Sequence, residues 1–345
     1  MLSVLNESHV FTGRGSTALW SILKSLNRPN AKVLLPVNIC EIVYPIVKKA
    51  GMIPKFYDVN EFDGNAKLEN IQDAFTGDES VLLAVHNFGL PIDIDKISAW
   101  VVENNLFMIE DVCNSLGGKF NDKPLGLWGD AAIFSFGYAK VIEHGFGGAA
   151  FVKDKNLRKE VEHLTNSLET YSDVHRLKDS EFQKQLRDIR LNEEHQAPST
   201  YLPLYKNYSD FLLYKIDAQA KKEILACMQT LEQNVELRAK KASMYRTKIR
   251  SNKVQHIDHK EGQIYWRYNL LVDSPERQDL IDKLRGNNLL VSTWYPPIAE
   301  LFEKNVDKKK YSGSYRFRDK VVNLFVDHRV TESDISKTID IINGL

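Results

Sequence analysis

Hydrophobic positions between residues 16 and 152 alternate between two rhythms. Short, nearly unbroken apolar runs, "KVLLP", "IPKFYDV", "SVLLAVHNFG", "LFMIEDV", "DAAIFSF" and "GGAAFV", predict strands buried on both faces. Between them "STALWSILKSL", "EIVYPIVKKAG", "NIQDAF" and "IDKISAWVVENN" space their apolar residues along one side of a helix. Ser16 and Thr17 are N-cap types at the start of the first helix, Pro36 stops the first strand, and Gly51 ends the second helix, against which the internal Pro45 counts. Strands alternating with helices predict an α/β fold, a mostly parallel sheet flanked by helices on both faces. Its ligand crevice is expected at the carboxyl ends of the strands.

The rhythm changes after residue 152. Residues 153–200 are charge-rich and helical in period, which predicts solvated helices and a loop. The stretch "AKKEILACMQTLEQNVELRAKKASMYRTKI" predicts one long amphipathic helix that links two domains. "IYWRYNLLV", "QDLIDKLRGNN", "LLVSTWY" and "SDISKTIDIINGL" then alternate strand and helix, as expected of a small C-terminal α/β domain. The expected division is a large domain at 1–230, including the charged segment 153–200, and a small one at 231–345.

Composition narrows the function classes. The 345 residues carry 46 basic and 46 acidic side chains, and no dense basic stripe suggests a nucleic-acid or membrane surface. Cys40, Cys113 and Cys227 form no CxxC pair, which suits reduced thiols in a cytoplasmic protein rather than a disulfide framework or a metal site. No apolar run reaches the ~20 residues of a membrane helix, and the opening "MLSVLNESHVFTGRG" lacks the basic flank and apolar core of a signal peptide.

Several strand ends carry possible chemistry. "TGRGST" places Gly15 and Ser16 at a helix start, where free N–H groups suit a phosphate or merely await a cap. "LFMIED" ends in Glu110 and Asp111, one of which could face the crevice. Ser135 and Lys140 follow a later strand in "FSFGYAK", ahead of Gly145, Gly147 and Gly148. Lys140 reads either as a surface-turn residue or as a buried amine with a depressed pKa. A phosphate cradle, an acid and a serine with a lysine in one α/β domain equip it to hold pyridoxal 5′-phosphate. The lysine condenses with the aldehyde as a Schiff base, the acid keeps the ring nitrogen protonated, and hydroxyl and backbone donors hold the phosphate.

The stretch "IEDVCNSLGGKFNDKPLGLWGDAAIFSFGYAKVIEHGFGGAAFVKD" resembles the central signature of the DegT/DnrJ/EryC1/StrS aminotransferases. "GSTAL", "VLLPVNICEIVYPIVKKAGMIPKFYDVN" and "AVHNFGLPIDIDKI" resemble other segments of that family in order, and "YWRYNLLV" and "WYPPI" fit its C-terminal part. The resemblance implies an aspartate-aminotransferase-like, fold-type-I pyridoxal-phosphate enzyme. It would move an amino group from glutamate, through a pyridoxamine form, to a nucleotide-linked keto-sugar in nucleotide-sugar and polysaccharide or O-antigen biosynthesis. It also implies Lys140 as the Schiff-base lysine and proton carrier, Asp111 at the pyridine nitrogen, and Asn114 near the cofactor's phenolic oxygen. Ser135, Gly15 and Ser16 would hold the phosphate. "KNYSDF" resembles the family's Asn-Tyr-Arg loop, which makes Asn207 a phosphate ligand of the neighbouring subunit in a cytoplasmic homodimer with shared sites.

This sequence departs from the family pattern at three points. Cys40 stands where an aromatic ring usually stacks on the cofactor, Ser209 replaces the loop arginine, and the charged segment before Asn207 is longer than expected. His86, Trp266, Arg267 and Tyr295 are substrate-contact candidates that could equally pack a core. His144 could assist proton transfer or sit idle in a turn, and Cys113 reads as a small buried hydrophobe. Two other readings stay open, an aminotransferase acting on a non-sugar ketone or a different pyridoxal-phosphate reaction, and a non-catalytic sensor. A lysine at 140 disfavours the dehydratase branch, which carries histidine there, and retention of Lys140, Asp111 and Ser135 together disfavours the sensor.

Overall fold

The computed structural model describes residues 9–191 and 196–345. Residues 1–8, which opened the stretch read as lacking a leader, and 192–195 of the charged segment lie outside the described residues.

Seven strands form the main sheet: β1 (His9–Thr12), β2 (Lys32–Pro36), β3 (Ile53–Tyr57), β4 (Glu79–Val85), β5 (Phe107–Asp111), β8 (Ala131–Ser135) and β9 (Gly148–Val152). The two-residue strands β6 (Lys119–Phe120) and β7 (Lys123–Pro124) form a separate hairpin. The order in the main sheet is β1-β9-β8-β5-β4-β2-β3, with β9 antiparallel to both of its neighbours and the other pairs parallel. The apolar runs hide an alternation that the folded sheet resolves. Val33, Leu35, Val81, Leu83, Val85, Ile109, Ala131 and Ile133 pack on one face, with helix α1 (Gly15–Ser25) and helix α2 (Val43–Lys49). Leu34, Leu82, Ala84 and Met108 pack on the other, with α3 (Leu68–Ala74) and α4 (Ile94–Glu103). Because successive strand residues point to opposite faces, Glu110 and Asp111 must part company.

The charged segment folds as α5 (Lys155–Asn166), α6 (Asp173–Leu191) and α7 (Pro198–Tyr208). The expectation of solvated helices is corrected at α6. It buries His175, Phe182, Leu186 and Ile189, a spacing of one helical side, against the first face of the sheet. The long linking helix is in fact two, α8 (Ala218–Met228) and α9 (Leu231–Lys248). Thr230 breaks it by turning its hydroxyl back onto the Cys227 carbonyl at 2.8 Å, a bond that competes with the helical ladder.

Beyond α9 a second, antiparallel sheet has the order β10-β11-β13-β12, built from β10 (Val254–His256), β11 (Tyr268–Val272), β12 (Val291–Ser292) and β13 (Val321–Leu324). Helices α10 (Glu276–Gly286), α11 (Ala299–Phe302), α12 (Ser312–Lys320) and α13 (Glu332–Asn343) complete the chain. "LLVSTWY" is strand only at its centre, because Trp294 and Tyr295 leave the sheet for the cavity described below. The short run "VVNL", unread in the sequence, is the fully buried β13.

Glu110 illustrates what the strand alternation does. Its side chain is buried and accepts N–H bonds from Gly126 at 2.8 Å, Trp128 at 2.5 Å and Gly129 at 2.8 Å. Glu110→Ala strands these donors in the interior, at about 1–3 kcal/mol each. The expected loss, about 3 kcal/mol or more, is measured as a lower urea midpoint at unchanged slope.

Candidate active site

A cavity of about 520 Å³ opens at the carboxyl ends of the parallel strands, lined by Val85, Asp111 and Ser135, the last residues of β4, β5 and β8. Helix α1 starts against it. Gly15 makes that approach close, because a Cβ at that position would lie 3.1 Å from Ser135 Cβ and 3.2 Å from Cys113 Sγ. The expected N-cap is corrected: α1 begins at Gly15 with Arg14 as cap, and Ser16 and Thr17 lie inside the first turn. Ser16 Oγ is consequently buried without a hydrogen-bond partner at the rim of the cavity. The first-turn N–H groups lack partners within the helix as well.

Lys140 reaches into the cavity and donates from Nζ to Asn114 Oδ1 at 3.0 Å. Asn114 passes the link on, donating from Nδ2 to the Tyr295 hydroxyl at 2.9 Å. Asp111 Oδ1 accepts from the Cys113 N–H at 2.9 Å, which turns the carboxylate toward the cavity. The expectation of a depressed lysine pKa is corrected. Burial works against the charge, but Tyr295, Cys113, Cys40 and Asp111 outweigh it and hold the Lys140 ammonium above the ordinary lysine value. Burial pushes the Tyr295 phenol up to about 12 and raises the Cys40 and Cys113 thiols.

The remaining candidates separate. Gly15, Ser16, Cys40, Asp111, Asn114, Ser135, Lys140, Trp266 and Tyr295 all line the cavity. His86 does not. It is fully buried behind the strand ends, where Nδ1 accepts from the Ile92 N–H at 3.2 Å and Nε2 lies 3.4 Å from Glu110. Arg267 is held away from the cavity by Asp327 at 2.9 Å and packs its guanidinium on Phe325. Asn207 is exposed on α7 and outside this chain's cavity. His144 is bound by Glu223 at 3.0 Å.

Two arginines absent from the sequence-derived candidates line the same cavity. Arg14 pairs with Asp179 of α6 at 2.8 Å, and Arg190 of α6 binds Glu41 while lying 4.7 Å over the Trp294 ring. Burial opposes both charges, yet Tyr214 and Asp179 hold Arg14, and Glu41 holds Arg190, above the ordinary arginine value.

In the cofactor-free protein, Lys140 Nζ is expected to titrate above the ordinary lysine value. Its charge-dependent stabilisation is therefore fully present below the unfolded-state pKa and is lost as pH rises through the folded one. The rate of Lys140 acylation against pH, read by mass spectrometry, checks this; a midpoint below that of a free lysine contradicts it.

The sequence profile of the DegT/DnrJ/EryC1/StrS aminotransferase family matches residues 5–194 and 213–343, which leaves Asn207 in the unmatched interval. GDP-perosamine synthase of Escherichia coli O157:H7 is 32% identical over 111 residues, 32% of this chain and 30% of that protein. The UDP-N-acetyl-3-dehydro-alpha-D-glucosamine 3-aminotransferase of Acidithiobacillus ferrooxidans is 30% identical over 161 residues, 46% of this chain and 44% of that protein. The matches thus span less than half the length of these relatives. The crystal structure of the aminotransferase TlmJ from Streptoalloteichus hindustanus shares the fold, with a TM-score of 0.80 at 16% identity over 99% of this chain and 87% of that one.

Proposed function

The chain belongs to the DegT/DnrJ/EryC1/StrS aminotransferase family, and on that premise we propose that it is a pyridoxal-phosphate-dependent aminotransferase acting on a nucleotide-linked keto-sugar, with glutamate as donor. The observation that carries the reading is the convergence of Lys140, Asp111, Asn114 and the unpartnered Ser16 hydroxyl on one cavity at the strand ends. When bound, pyridoxal 5′-phosphate supplies a carbonyl that takes up the amino group and a ring that draws electron density from the reacting carbon.

The residues fit that group. A buried hydroxyl with no partner and a helix N-terminus brought close by Gly15 are what a phosphate requires. Gly15, Ser16 and Ser135 would hold the phosphate, Asp111 the ring nitrogen, Asn114 the phenolic oxygen, and Cys40 would border the ring. Lys140 supplies the amine and carries a proton to and from the carbon that bore the nitrogen. Asn114 keeps Nζ aimed into the cavity by accepting its hydrogen bond. Tyr295 fixes the Asn114 amide, so the Asn114 oxygen rather than its NH2 faces the lysine. Donor and acceptor would use the site in turn.

Trp266 and Tyr295, stacked at 6.0 Å, and Arg190 are proposed to border the substrate. Among the sequence candidates for that role, His86 and Arg267 are withdrawn, since neither reaches the cavity. The division at residues 230 and 231 is proposed on the break between α8 and α9. A homodimer with shared sites is proposed on the exposed Val174, Leu177 and Leu191 of α6 and on the exposure of Asn207, and a cytoplasmic location on membership of the family. Among the described residues no helix is long and apolar enough to cross a membrane.

Loaded with pyridoxal 5′-phosphate, the protein is expected to show a visible absorption band that glutamate abolishes and a nucleotide-linked keto-sugar restores. Lys140→Ala is expected to lose both band and turnover. Wild-type turnover by this variant would remove Lys140 from the chemistry, and a wild-type band indifferent to glutamate would mark a sensor.

A further inference from the structure

The loop that carries Lys140 is held from the C-terminal part of the chain. Ala139, immediately before the lysine, has φ 61, a left-handed conformation that alanine seldom adopts and that persists only where neighbouring contacts enforce it. Two donors do so at consecutive peptide groups. Trp266 Nε1 donates to the Ala139 carbonyl at 2.5 Å, and Arg238 Nη2 donates to the Lys140 carbonyl at 3.3 Å. Farther along the loop Arg329 binds Glu143 and lies 4.6 Å over the Tyr138 ring.

Arg238 is an unusual residue to use for packing alone. It is among the largest fully buried side chains of the protein, and its remaining bonds go to Asn234 Oδ1 at 2.6 Å and to the Tyr265 and Trp266 carbonyls at 3.2 Å each. Among the described residues it forms no salt bridge. Burial lowers its pKa to about 10, which still leaves it charged at neutral pH. A buried guanidinium bonded only to neutral acceptors is costly, and an apolar side chain would fill the space at less expense. The guanidinium does what no apolar group can: its fork joins the Lys140 carbonyl to those of Tyr265 and Trp266 at the entry to β11.

We propose that Arg238 and Trp266 are positioning residues for Lys140, gripping consecutive carbonyls of its turn and so fixing where the amine points. The inference rests on Lys140 being the reacting amine, as proposed above. Arg238 does not line the cavity, so it acts through the loop and not on a substrate.

The test uses Arg238→Gln, Arg238→Lys and Trp266→Phe in the full chain. In the cofactor-loaded enzyme, Arg238→Gln and Trp266→Phe are expected to lower kcat by roughly tenfold to a hundredfold, with little change in the donor KM, because a misplaced reacting group costs rate rather than binding. Arg238→Lys is expected to recover part of that loss. In the cofactor-free protein, the midpoint of Lys140 acylation against pH is expected to fall toward that of a free lysine as the amine leaves its partners. A lower melting temperature with unchanged kcat and unchanged midpoint would overturn the proposal and leave both residues as packing. If Arg238→Gln does not fold, Trp266→Phe, which removes the indole donor together with part of a ring that lines the cavity, decides the question through the Lys140 acylation midpoint, which a lost substrate contact would not move. Absence of transamination by the wild type would sink the functional reading, while the acylation midpoints would still judge the positioning.

Discussion

An ammonium inside a cavity must be met by acceptors, and the sheet supplies them. Parallel strands end together, so the side chains at their carboxyl ends share one edge. Asp111 and the turn that carries Asn114 arrive there from β5, and Lys140 arrives from the loop after β8. The Lys140–Asn114 bond at 3.0 Å is possible only because these two elements are neighbours in the sheet. The same edge must admit the start of α1, and the missing side chain of Gly15 lets it approach. Slipping β5 by a residue would turn Asp111 to the opposite face, where Glu110 now serves the backbone.

Charge in the cavity is organised by pairing. Arg14 faces Asp179, Arg190 faces Glu41, and Lys140 lies within the field of Asp111. Burial raises the Cys40 and Cys113 thiols. Burial alone would push the lysine down, and Tyr295, Cys113, Cys40 and Asp111 together hold it above its ordinary value. An amine prepared in this way is a proton carrier first. It becomes a nucleophile only after its proton has been taken up by another group.

Much of this was legible in the sequence, for reasons that can be named. Strand ends follow from where apolar runs stop, so Asp111, Ser135 and Lys140 could be assigned to one crevice from "LFMIED" and "FSFGYAK". Side chains placed by local geometry were harder to judge. His86 also follows a strand, yet its ring turns back to accept from Ile92. Arg267 and Tyr295 looked alike as candidates, and only the partners Asp327 and Asn114 separate them. The α6 arginine could not be read at all. A helix rich in charge has the same pattern whether its ions meet water or meet Glu41, 149 residues away in the chain. β13 was missed because a four-residue apolar run offers too few positions to show a period.

Helix α6 shows how such a segment can be charged and still be structural. Its Arg14–Asp179 pair keeps 21% and 25% exposure, and the more solvent screens such a pair, the nearer its contribution falls to the ~0–1 kcal/mol of a surface ion pair. Its apolar edge is worth more. Phe182 and Leu186 are buried to 1% and 3% exposure, and each such side chain is worth about 1.5–3 kcal/mol on leaving water. The apolar edge therefore keeps α6 against the sheet, and its charges are free to serve another end. Asp179 and Arg190 lie eleven residues apart, three helical turns, with Phe182, Gln183 and Leu186 of the same cavity wall between them. Each charge meets an opposite one on the body of the protein. The wall thus places Phe182 and Leu186, with the amide of Gln183, between two ion-paired ends.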